Sequence, residues 1–87
     1  MDARVTIHKC SNIKRRDVES HLILFSPETG LLLELNPTAK FIWEICGGKT
    51  VEEIQSSYAQ EFGIGLKEAI GDVDEILQIL KNKGYVS

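Results

Sequence analysis

The sequence is poor in the residues that staple, stiffen or span. Cys10 and Cys46 are its only cysteines. A small secreted domain carries several cysteine pairs and a zinc ribbon carries CxxC pairs, so neither class is expected. His8 and Cys10 offer two metal-ligating side chains, but no second pair with finger-like spacing follows, and no metal site is expected. Long hydrophobic runs are absent. The longest, Leu22–Phe25 and Leu31–Leu33, fall far short of the roughly 20 apolar residues that cross a bilayer. The opening MDARVTIHKC lacks the basic-then-apolar signature of a signal peptide, which makes the cytoplasm the default compartment. An excess of positive charge is missing as well. Ten basic and thirteen acidic residues give a net charge of −3. A dedicated nucleic-acid binder needs a clustered basic face, so that class is disfavoured.

What is present is the composition of one folded domain. The 87 residues are 43% hydrophobic and 26% charged, with only two prolines, which is too apolar for a disordered tail. A chain this short hides about two-thirds of its unfolded surface, so the core is thin. We expect a single domain over 1–87, with residues 1–12 either extending the sheet or fraying. The Val5/Ile7 alternation is too short to decide between the two.

The pattern changes character near Asn36. Before it, His21–Phe25 and Leu31–Leu35 are dense in β-favouring residues. Between them Ser26-Pro27-Glu28-Thr29-Gly30 supplies a proline that presets φ and a glycine that accepts positive φ, which predicts a hairpin loop. Ile13–Val18 is more polar and fits a strand at the sheet edge. After Asn36 the period is helical. Asn36-Pro37 is an N-cap followed by proline at the first helical position. Ala39, Ile42, Trp43 and Cys46 then share one face, and Gly47-Gly48 stops the helix. Cys46, at the end of this stripe, reads as a buried thiol. Thr50 and Glu53 form a capping box for a second helix, with Val51, Ile54, Tyr58 and Phe62 as its stripe and Gly63 as its end. A third helix spans about Leu66 to Asn82. Its stripe is Ile70, Val73, Leu77 and Leu80, Lys81 and Lys83 favour its negative end, and Gly84 caps it. Gly71 inside that helix costs about 1 kcal/mol relative to alanine. The fold class is therefore α+β: a winged-helix-like, three-stranded antiparallel sheet followed by a three-helix bundle, in the order β-β-β-α-α-α.

Catalytic motifs are missing from the chain: GxSxG, a P-loop, GxGxxG after a strand and HExxH are all absent. Glu52 and Glu53 serve the helix start rather than acid–base chemistry. His21 points away from Leu22 and Leu24, toward a surface or an interface, and Trp43 reads as core. The expectation is a binding protein without catalytic residues or cofactor. A winged helix would place its third helix in a DNA groove. Here Glu68, Asp72, Asp74 and Glu75 outnumber the lysines of that helix, and the basic cluster Lys14-Arg15-Arg16 lies on the first strand.

The stretch LNPTAKFIWEICGGKTVEEI, followed by DVDEILQILKNKGYV, resembles the family of PQQ-synthesis protein D (PqqD). The matching positions are Leu35, Asn36, Thr38, Ala39, Ile42, Glu44, Cys46, Gly48, Thr50, Val51, Glu53 and Ile54, then Asp72, Val73, Leu77, Leu80 and Gly84. With the upstream hairpin, the resemblance covers roughly residues 13–87. Two positions depart from the usual pattern. Gly47-Gly48 replaces the customary Asp-Gly, with a shorter loop to Thr50, and Tyr85 stands where tryptophan is frequent. The resemblance implies a non-catalytic peptide chaperone. Such a protein binds the leader of a ribosomally made precursor and presents it to a modifying enzyme, commonly a radical-SAM protein, in PQQ-type or other peptide biosynthesis. It also implies that the leader adds as a further strand along the third strand, against the third helix.

The residues agree with that implication. β-Strand addition takes affinity from main-chain hydrogen bonds and selectivity from pockets at alternate side chains. If Leu31–Leu35 is an edge, Glu34 is its only charged gatekeeper. Leu31, Leu33 and Leu35 share one face, and Leu32 and Glu34 the other. Val73, Leu77 and Leu80 serve either as core or as groove lining. Asp74 and Lys81, one step around, lie either at the groove rim or on a solvated surface. The expected peptide site is thus Leu31–Leu35 with Val73, Asp74, Leu77, Leu80 and Lys81. The partners are a leader peptide and its modifying enzyme, with no nucleic acid and no membrane, in a monomer or weak homodimer. Three alternatives stay open: both strand faces buried by the protein's own helices, a winged-helix DNA-binding or transcription-associated domain, and a scaffold subunit docking on an enzyme through the same edge.

Overall fold

The computed structural model describes residues 2–87. Among these the order is β1 (Thr6–Ile7), β2 (Lys14–Val18), β3 (His21–Ser26), β4 (Leu31–Leu35), α1 (Pro37–Ile45), β5 (Lys49–Thr50), α2 (Val51–Phe62) and α3 (Leu66–Asn82). The main sheet is antiparallel in the order β2-β3-β4. The fold is therefore α+β, a three-stranded antiparallel sheet followed by three helices, as the sequence pattern implies.

Strand β3 is central, and its alternation sorts its side chains cleanly. Leu22, Leu24 and Ser26 are buried on the helix side, whereas His21, Ile23 and Phe25 are half-buried on the outer side. Its register pairs Leu22 with Leu35 and Leu24 with Leu33, so β4 adds two leucines to the same inner face. Against that face pack Ile42 and Trp43 of α1, Val51, Ile54 and Tyr58 of α2, and Ala69, Val73, Leu77 and Leu80 of α3. Tyr85 and Val86 of the C-terminal segment complete the core.

Local chemistry fixes the helix ends. The Asn36 side chain accepts a hydrogen bond from Ala39 N at 2.9 Å directly after β4 ends, so strand and helix meet at one residue. Thr50 and Glu53 form the reciprocal capping box: Glu53 N donates to Thr50 Oγ1 at 3.2 Å and Thr50 N to Glu53 Oε1 at 3.1 Å. Tyr85 N donates to Leu80 O and Gly84 N to Lys81 O, with Gly84 at φ 82°; this is a Schellman motif that turns the chain back under the sheet.

Two expectations change. Residues 2–12 do not extend the main sheet but pair with β5 and the C-terminal segment. Ile7 pairs with Lys49 and Thr6 with Thr50, while His8 and Ser87 exchange backbone hydrogen bonds at 3.0 and 2.9 Å. The carbonyls of Ala3 and Val5 also accept from Glu52 N and Val51 N. The first residues thus satisfy donors that the start of α2 would otherwise leave without partners. The second change concerns the helix stripes. Ile70 is 43% exposed and its neighbour Ala69 takes the core position, while Phe62 lies at the surface against Phe41.

Candidate functional site

Among the described residues β4 pairs with β3 alone, which leaves its second side as a sheet edge. In an antiparallel strand alternate residues direct their N–H and C=O groups away from the paired neighbour, so β4 carries a row of unused backbone partners. Its side chains do little to cover that row. Leu31 is 44% exposed and Leu32 68% exposed.

A cavity of about 470 Å³ runs between this edge and α3. Leu33 and Leu35 of β4 and Ala39 of α1 line it together with Ile76, Ile79 and Leu80 of α3. Asn36, Thr38, Tyr58, Glu34, Asp72 and Glu75 complete the lining. The Tyr58 hydroxyl donates to Asp72 Oδ2 at 3.1 Å. Burial, and next the bond to this carboxylate, hold the Tyr58 hydroxyl above its usual range, so it remains a donor at neutral pH. Behind the strand, the buried Tyr85 hydroxyl donates to Leu31 O at 2.9 Å. Its ring meets Trp43 edge-on at 6.4 Å. The start of β4 is therefore tied to the C-terminal segment through a polar group inside the core.

Leu33, Glu34, Leu35 and Leu80 of the expected site line this cavity; the rest do not. Val73 and Leu77 have no exposed surface and belong to the core. Leu31, Leu32, Asp74 and Lys81 lie outside the lining. The reason is helical phase. Val73, Leu77 and Leu80 take the stripe that faces the sheet, and Asp72, Glu75, Ile76 and Ile79, at i, i+3, i+4 and i+7, form the adjacent stripe that faces the groove. The signal in the sequence was two isoleucines in excess of the core stripe.

The outer face of the sheet is different ground. Ile23, Phe25 and Leu32 form a shallow apolar depression flanked by Lys14 and Arg16. His21 Nδ1 lies 3.1 Å from Glu34 Oε2 there, off the line a hydrogen bond requires. The run Lys14-Arg15-Arg16 does not make one basic patch. Arg15 turns to the opposite face and contacts Asp17 at 3.0 Å and Glu44 at 3.9 Å.

Fold and edge together define a class of small α+β domains whose three-stranded sheet is backed by helices and left open along its last strand. A solved structure, "TbiB1 in Complex with the TbiA(beta) Leader Peptide", shares this fold with a TM-score of 0.82 over 92% of this chain and 94% of that one, at 21% identity. No curated protein matches the sequence at a significant level. The sequence profile of "Coenzyme PQQ synthesis protein D (PqqD)" matches residues 21–86, and the chain belongs to that family.

Proposed function

We propose that this protein is a non-catalytic recognition module. It binds the leader of a ribosomally made precursor peptide as a fourth strand along β4 and presents it to a modifying enzyme of the radical-SAM type, in the cytoplasm. The observation that carries this reading is the unpaired edge of β4 beside an apolar cavity. The edge offers main-chain hydrogen bonds to any sequence, and the cavity selects side chains at alternate positions of the guest. Family membership supports the reading, and so does the fold shared with TbiB1, solved in complex with the TbiA(beta) leader peptide. The contact residues on this reading are Leu31–Leu35 on the strand and Asp72, Glu75, Ile76, Ile79 and Leu80 on the helix. Because the edge is self-complementary, the free protein is a monomer or a weak homodimer through β4.

An amide chemical-shift titration tests this with the leader of a precursor encoded beside the gene, and with a DNA duplex as control. The expected result is shifts confined to β4 and to Asp72–Leu80, with peptide only and little changed by salt. Shifts centred on Lys14–Arg16 with DNA, steeply weakened by salt, would overturn it.

A further inference from the structure

The groove beside β4 is electrostatically one-sided. Among the described residues the charged side chains on its helix wall are both carboxylates, Asp72 and Glu75; Glu34 lines it from the strand with its own carboxylate on the outer face beside His21. Asp72 already accepts a hydrogen bond from Tyr58, which holds that carboxylate in place at the groove wall. No lysine or arginine is among the described residues that line it, and several cations are committed or turned elsewhere. Lys40 and Arg15 contact Asp17 and Glu44 across β2 and α1. Lys14 and Arg16 flank the outer face of the sheet, and Lys9 lies over the Trp43 ring at 4.7 Å.

We propose that the groove selects peptide segments that combine apolar side chains with a lysine or arginine on the same strand face, and that it discriminates against acidic segments. This deepens the reading of β4 as a strand acceptor and rests on it. A guest strand sends every second side chain toward α3, with successive ones about 7 Å apart. Asp72 and Glu75, and Ile76 and Ile79, each sit three residues apart on the helix, at a spacing of roughly 5–6 Å. Neighbouring guest side chains on that face therefore meet an isoleucine and a carboxylate within one turn. A lysine or arginine fits both, because its methylene stem lies on the apolar wall while its charge reaches the acidic rim. A glutamate brings a like charge to the same rim without a compensating cation.

The experiment is selection of a displayed random library of 12-residue peptides on the full-length protein, repeated on Asp72→Asn/Glu75→Gln. Both substitutions keep size and hydrogen-bonding capacity. The expected pool is apolar at alternate positions and enriched in Lys and Arg over Asp and Glu, and the enrichment disappears on the double variant. In synthetic peptides taken from the pool, Lys→Glu at an enriched position should weaken binding about tenfold at low salt, from a lost attraction and a gained repulsion of about threefold each. That factor should shrink at 0.5 M salt, where the Debye length falls to about 4 Å. A pool without charge preference, or a preference that persists on the double variant, overturns the inference and leaves the strand acceptor standing. Failure to select any binder, or binders that still bind after proline is placed in β4, overturns the strand acceptor itself and the inference with it.

Discussion

The sheet has two edges, and they are built on opposite principles. Strand β2 reads KRRDV and is exposed along its whole length. Its inward-facing Asp17 meets Lys40 Nζ at 2.9 Å and Arg15 at 3.0 Å, and Arg15 and Lys40 both reach Glu44. Strand β4 reads LLLEL, lies beside an apolar cavity and has one charged side chain. Charges along an edge discourage pairing with another chain, because a partner strand would have to disturb their hydration and their ion pairs. A leucine edge has no such barrier. One fold thus has a charged edge on one side of its sheet and a leucine edge on the other, and the difference lies in five residues on each strand.

The comparison is most easily broken with proline, which removes a ladder donor. In β4 one of two adjacent positions directs its N–H outward, so Leu32→Pro and Leu33→Pro together cover both cases. At least one should abolish leader binding, by 100-fold or more, while circular dichroism shows intact helices. The matching pair on β2, Arg15→Pro and Arg16→Pro, should leave affinity within about threefold. Equal losses from both edges would mean that the guest does not distinguish them. The next effect separates core from groove on α3. Leu77→Ala should cost about 3 kcal/mol of stability, in the usual range for a fully buried leucine. Ile79→Ala should leave the melting temperature nearly unchanged, because Ile79 is 42% exposed, and should weaken the peptide several-fold.

Those helix stripes also show where the sequence was legible. The Ser26–Gly30 hairpin, the Asn36 cap, the capping box at Thr50 and the Gly84 stop were readable because each is a local arrangement of a few residues, and the structure contains all four. So was the character of β4, whose run of leucines has few other uses at a sheet edge. The N-terminal ribbon was not legible. It consists of two-residue strands paired across more than forty positions, and alternation over two residues carries no signal. The turn at Glu19-Ser20 is also silent. Glu19 adopts φ 58° without the glycine or asparagine that usually announces such a turn. The groove face of α3 lay between these extremes. Its apolar residues were visible, but the choice of stripe for the sheet depends on how α3 packs on α2, which periodicity alone does not determine.

A smaller effect concerns how β4 is held ready without being covered. Tyr85→Phe keeps the ring against Trp43 and removes the hydroxyl that Leu31 O accepts from. The expected loss is about 1 kcal/mol of stability, with a drop in protection of the hairpin amides toward hydrogen exchange. If the variant matched the parent in both, Leu31 O would have another partner and the link from the C-terminal segment to β4 would carry no weight.

The smallest effect at neutral pH becomes the most selective in acid. Lys40, and after it Arg15, hold the Asp17 carboxyl below its usual range, and the Thr50 donors do the same for Glu53. A carboxyl whose folded value is depressed contributes stability above its unfolded value and loses it as the pH falls through the folded one. Stability should therefore be flat from pH 7 to about 5 and decline below about 4, where these carboxyls take up protons. Asp17→Asn should change little at pH 7, since exposed pairs are weak and screened, and should flatten the acid limb. The two edges should then separate. β2 depends on charges that protonation removes, whereas β4 depends on Leu35 and the partly buried Leu33 packed on the core and on a tyrosine hydroxyl that does not titrate in acid. Hydrogen exchange at pH 3 should show β2 amides losing protection before those of β4. The reverse order would mean that the ion pairs around Asp17 decorate the β2 edge without holding it.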